Sequence, residues 1–162
     1  MTTKETGEHG EHLLTAKLER LGSVKRIPGR LNLLTVHSPD IKIKVRFNTI
    51  QKEKSKYGWQ FHVDKFLDMD FNGDCQVIKG KLPKMDYGIH VLILIDKDGK
   101  ETYYVLQQTD LQEHIYKNYS KFIKDKQGRR PNNPRSTHCY VRPQDIETFR
   151  DNWDLVSKQP HP

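Results

Sequence analysis

The sequence predicts an α/β (α+β) domain, with a mixed central β-sheet flanked by helices. Residues 41–47, IKIKVRF, alternate apolar and basic with the period of two that sends successive side chains to opposite faces of a strand. Residues 89–95, IHVLILI, form an unbroken apolar run of strand length, as a strand covered on both faces requires. Within residues 109–126, Leu111, Ile115, Tyr119 and Phe122 line one side of a helix.

The elements follow in order. Residues 1–6 are expected to be flexible. A helix over 7–22 is predicted by Leu13, Leu14, Leu18 and Leu21, with Gly10 allowing a loose start and Gly22 suited to the C-cap. LNLLTV (31–36) is a strand, HSPD its turn, and the basic strand 41–47 returns as an antiparallel hairpin. QKEKSKYG (51–58) is a charged loop, and WQFHV (59–63) alternates again. The Gly-, Asp- and Asn-rich segment 68–88 is expected to be irregular. The apolar strand 89–95 turns at DKDGK into ETYYVL (101–106). Thr109 or Asp110 caps the helix over 109–126. A loop with two prolines and three arginines (127–136), a short helix with a packed end (142–156) and a frayed tail (157–162) complete the chain. The expectation is one domain over 7–156, long enough to bury a core.

With net charge +7 and pI about 9.3, the chain favours an anionic partner, nucleic acid first. Only 34% of residues are hydrophobic and 30% are charged, which implies a solvated surface around a modest core. Cys75 and Cys139 form no CxxC and no disulfide framework, so free thiols in a reducing compartment are expected. MTTKETGEHGEH carries no apolar core of a signal peptide, and no apolar run approaches the ~18 residues of a membrane span. The expectation is a soluble, cytoplasmic protein without a membrane partner.

Lys42, Lys44 and Arg46 share the outer face of one strand, about 7 Å apart along it, with no acid among them. They are the centre of the predicted footprint on phosphates. Lys25, Arg26 and Arg30, the loop lysines Lys52, Lys54 and Lys56, and the loop arginines Arg129, Arg130 and Arg135 would extend it. Trp59, Trp153, Tyr103 and Tyr104 have the chemistry to stack on bases, but strand and helix-end positions favour core packing. Pro39-Asp40 is ordinary turn chemistry, and Asp98-Gly99-Lys100 lies in a turn. His9–Glu11 spells the H-x-E of zinc deaminases without the partner P-C-x-x-C.

Taken together, GEHGEHLLTAKLERLG, NLLTV, IKVR, WQF, HVLILI, YYVLQQTDL and FRDNWDLV resemble, in their order over residues 7–156, the PD-(D/E)xK or restriction-endonuclease-like superfamily in its small stand-alone form. The resemblance implies a restriction-endonuclease-like fold. It also implies a site in which carboxylates hold a divalent metal and a lysine serves the attacking water. Here the aspartate position falls on Asn32, the acid of the E-x-K pair on Lys44 and its lysine on Arg46. Glu11 alone remains of that ligand set, and Lys44 would repel a metal. The resemblance therefore implies a catalytically inactive DNA binder without a cofactor. Its rivals are a Mg²⁺-dependent endonuclease with ligands drawn from Glu8, Glu11, Asp40 or Asp64, and an accessory module of a restriction or mobile-element system. Relatives of this kind often dimerise, so a homodimer is a further expectation. A weaker resemblance, of YGIHVLILIDKDGKETYYV to the GIY-YIG nuclease core, has His114 where that family has arginine.

Overall fold

The computed structural model describes residues 1–83 and 88–157, which divide into two compact units. Among the described residues, one comprises 1–59, 88–107 and 142–157, and the other 60–83 and 108–141.

The first unit is built on a five-stranded sheet in the order β1-β2-β3-β7-β8, from β1 (Ser23–Arg26), β2 (Leu33–His37), β3 (Lys42–Gln51), β7 (Ile89–Ile95) and β8 (Glu101–Gln107). All neighbours are antiparallel except β3 and β7, which run parallel, so the sheet is mixed as expected. The hairpin pairs Leu34 with Val45, Thr35 with Lys44 and Val36 with Ile43. Its turn is held by Ser38, whose hydroxyl oxygen accepts from the backbone N–H of Ile41 at 3.1 Å. Strand β3 runs to Gln51 rather than stopping at residue 47, because the parallel partner β7 takes over its hydrogen bonds from Val45 onward. The apolar run of β7 is buried on both faces, with only Leu94 partly exposed.

Helix α1 (Thr3–Leu18) covers one face of this sheet, and its Leu14 and Leu18 join Val36, Val45, Phe47 and Val91 in the core. It starts four residues before the expected Gly7, because the Thr2 hydroxyl caps it by accepting from the Glu5 N–H. Residues 3–6 therefore belong to the helix. Gly22 is not its C-cap, because the helix ends at Leu18. Gly22 instead gives room beside the His37 carbonyl, 2.6 Å from where a Cβ would stand. The closing segment is a pair of 3-10 turns over Pro143–Phe149, kinked at the non-helical Ile146, and a single turn α3 (Asp154–Ser157), in place of one short α-helix.

In the second unit, β5 (Leu67–Asn72) and β6 (Cys75–Lys81) form an antiparallel hairpin where an irregular segment was expected. Gly73 turns it at φ 62°. The remainder of the expected irregular span, residues 84–87, lies outside the described residues. Strand β4 (Trp59–His62) pairs with β9 (His138–Val141), a strand the loop-like sequence around it conceals. Helix α2 (Gln108–Asp125) starts directly after β8, so Asp110 lies in its first turn rather than at its cap, where its charge suits the helix dipole. Its buried row is Leu111, Ile115, Tyr119 and Ile123, while the expected Phe122 is 37% exposed.

Candidate nucleic-acid interface

Cross-strand partners share a face of a sheet, so the register decides which predicted cations meet. Lys25 pairs with Thr35, and Thr35 with Lys44, in one row across β1, β2 and β3. The adjacent rows are Ser23–His37–Lys42 and Leu33–Arg46–His90. Lys25, Lys42, Lys44 and Arg46 therefore stand on one face, opposite the face that carries Ile43, Val45 and α1. Lys25, Lys42 and Lys44 are exposed and Arg46 is half-buried.

With strands about 4.8 Å apart and side chains on one face about 7 Å apart, neighbouring charges lie within roughly 10 Å of one another. That is close to the Debye length of about 8 Å at physiological salt, so they repel incompletely screened. No aspartate or glutamate of the five strands shares the face, because Glu101 pairs with Ile95 on the helix side. Thr35 and His37 stand among the lysines and supply further hydrogen-bonding groups. Sequence reasoning passed over both, and only the alternation of LLTVH pointed to them. Next to Arg46, His90 is buried with its Nε2 2.6 Å from Asn48 Oδ1.

The other predicted residues fall elsewhere. Arg26 points to the helix side, where its Nε donates to Glu11 Oε1 at 2.8 Å. Glu11 and Lys44 are thus on opposite faces of the sheet. Asn32 lies outside β2, exposed in a turn at φ 58°, and its carbonyl accepts from the Phe47 N–H. Arg30 is exposed between β1 and β2. Lys52, Lys54 and Lys56 follow the far end of β3, and Lys54 Nζ donates to the Met1 carbonyl.

In the second unit, Arg129 pairs with Asp74 at 3.5 Å. Arg130 Nη1 donates to the carbonyls of His138 at 2.7 Å and Ser136 at 3.1 Å, beside the Tyr119 hydroxyl. Arg135 donates to the Gly73 carbonyl at 2.7 Å and stacks over Phe71. These arginines organise their own loop. Burial raises the Tyr119 hydroxyl pKa above its ordinary value, and Arg130 beside it works in the opposite direction.

Among the aromatics, Trp59, Tyr103 and Tyr104 are buried and Trp153 packs beside the core. Trp59 Nε1 donates to the Ile93 carbonyl, and its ring meets Tyr104 edge-on at 5.5 Å. Glu8 lies 4.0 Å from Lys4, Asp40 is exposed in the hairpin turn, and Asp64 is exposed in a 3-10 turn of the second unit. Among the described residues, no three His, Cys, Asp or Glu side chains are grouped to hold a metal ion. Among them, too, no helix is long and apolar enough to cross a membrane.

Comparison with protein-family models, with curated proteins and with solved structures returns no match.

Proposed function

We propose that this protein binds nucleic acid, DNA in the first instance, through the phosphate backbone and without cutting it. The observation that carries this reading is the acid-free row geometry of Lys25, Lys42, Lys44 and Arg46 on one sheet face. Like charges at this spacing on one sheet face repel one another, and a polyanion relieves that repulsion. The restriction-endonuclease-like resemblance gives the same strand a history. Where a metal-dependent nuclease of that family would place an acid and a lysine, Lys44 and Arg46 stand, so phosphate contacts replace the metal. Glu11, the remaining acid, is committed to Arg26.

The test is a titration against labelled duplex and single-stranded DNA at about 50 and about 200 mM salt, with and without Mn²⁺, with products run on a gel. Four neutralised phosphates predict roughly a hundredfold loss of duplex affinity over that salt range. Binding that ignores salt would sink the phosphate reading. Mn²⁺-dependent cleavage that Glu11→Gln abolishes would replace it with the enzyme.

A further inference from the structure

Beyond the last pairs of β3 and β7, the first unit opens into a cleft of about 550 Å³, within the roughly 300–1,000 Å³ typical of small-molecule sites. Its floor is apolar. Ile50 and Leu94 pair across β3 and β7, and Tyr104 pairs with Leu92, which puts all three on the sheet face that also carries Lys44. Its wall includes Tyr57, 60% exposed, with Lys56 Nζ 5.8 Å from the ring centre. Gly58, at φ 104°, turns the backbone between outward Tyr57 and buried Trp59.

The charges in the cleft are of two kinds. Arg142 and Arg150 are held by carboxylates, Arg142 by Asp145 at 2.8 Å and Arg150 by Glu147 at 2.9 Å. Lys52, Lys56 and Glu53 also line the cleft, and among the described residues no carboxylate pairs with either lysine. Cations alone would suit any polyanion. An acceptor carboxylate beside two ammonium groups, one of them against an exposed ring, asks for more. The ligand needs one anionic group, hydroxyl or amino donors, and a flat π-surface.

We infer that this cleft binds a nucleoside monophosphate unit, either a free nucleotide or the end of a nucleic-acid strand. The base lies against Tyr57, the phosphate meets Lys52 and Lys56, and Glu53 accepts from ribose hydroxyls or a base amine. The inference does not need the cationic rows of β1–β3 to bind anything.

Calorimetric titration with adenosine monophosphate, adenosine and inorganic phosphate tests it. One adenosine monophosphate should bind per chain, with adenosine and phosphate each at least about tenfold weaker. Tyr57→Ala and Lys52→Glu should each weaken the nucleotide about tenfold, and Tyr57→Phe should restore it, since stacking needs only the ring. Lys44→Glu should leave it unchanged. A 5′-phosphorylated single-stranded oligonucleotide that binds tighter through Tyr57 identifies the strand end as the source, and equal affinity identifies the free nucleotide. Absence of saturable binding, indifference to both Tyr57→Ala and Lys52→Glu, or loss with Lys44→Glu would each overturn the proposal.

Discussion

Gly10 of α1 lies against Thr49 of β3 with no room for a side chain between them, since a methyl at Gly10 would overlap the Thr49 hydroxyl and both other atoms of that side chain. The Thr49 hydroxyl is itself buried without a hydrogen-bond partner among the described residues. The helix therefore crosses the sheet at closest approach here, and Gln51 Nε2 donates to Thr6 Oγ1 at 2.7 Å one turn away. Gly10→Ala gains up to about 1 kcal/mol of helix propensity but costs about 1–3 kcal/mol in overpacking. We expect a net loss near 1 kcal/mol in urea unfolding at unchanged slope, partly recovered in Gly10→Ala/Thr49→Ala. A more stable Gly10→Ala would mean the helix can slide.

Lys44 sits in the middle of the cationic rows, exposed, with Thr35 beside it. Lys44→Ala should lower duplex DNA affinity at low salt and reduce the magnitude of the logarithmic salt slope by about 0.9, the signature of one lost phosphate contact. Arg26→Ala, on the opposite face, should leave that slope unchanged. Anisotropy titrations at several salt concentrations separate the two.

Arg130 is a structural cation. One guanidinium nitrogen serves the Ser136 and His138 carbonyls, and Gln76 secures the same loop by donating to the Pro134 and Ser136 carbonyls at 2.9 and 2.7 Å. Arg130→Ala should destabilise the protein by about 2 kcal/mol, since charged hydrogen bonds contribute about 1.5–3 kcal/mol. Arg130→Lys should recover at most part of it, because a flexible ammonium loses more side-chain freedom per hydrogen bond than the preorganised planar guanidinium. Chemical unfolding of both variants checks this, and full recovery by lysine would show that charge alone suffices.

Burial pushes the Cys139 thiol from its ordinary 9.0 up to about 12, against the opposing effect of Arg130. In the unfolded chain this thiol ionises above about pH 9, while in the fold it keeps its proton. The unfolded state then binds fewer protons, so stability falls as pH rises from about 9 towards 12, by up to about 1.4 kcal/mol per unit from this group. Tyr103, which burial also pushes up to about 12, adds to the decline above its ordinary 10.0. Urea midpoints measured from about pH 8 to about pH 11 should fall less steeply in Cys139→Ala than in the parent. Parallel curves would show that the thiol ionises as readily folded as unfolded.

What was legible in the sequence was whatever depends on one face of one element. Ile43 and Val45 alternate with Lys42 and Lys44, and their burial alternates with them. The apolar run of β7 and the first three residues of the α2 stripe were equally plain. The β5–β6 hairpin was hidden because its outward positions carry Asp68, Asp70 and Lys79, which pair across the hairpin (Lys79 with Asp70 at 2.6 Å) rather than marking a loop. Strands β1 and β9 are four residues each, too short for a period to show. Arg26 and Lys25 are neighbours in sequence and face opposite ways, so the basic residues of the sequence do not all share one face. Tyr57 read only as part of a charged loop, because the cleft beside it depends on residues 142–150, far along the chain.

The parallel pairing of β3 with β7 also has a consequence in time. Every other neighbour in the five-stranded sheet follows its partner across a short connection, but residues 52–88 must be made before β3 can acquire β7. At ribosomal speeds of ~5–20 residues per second, that is a wait of about 2–7 s. During it the β2–β3 hairpin carries Ile43, Val45 and Phe47 with one edge open. The positive charges of Lys42, Lys44 and Arg46 along that edge strand discourage pairing with another nascent chain. The cations proposed above to meet a phosphate backbone thus act as gatekeepers while the protein is being built.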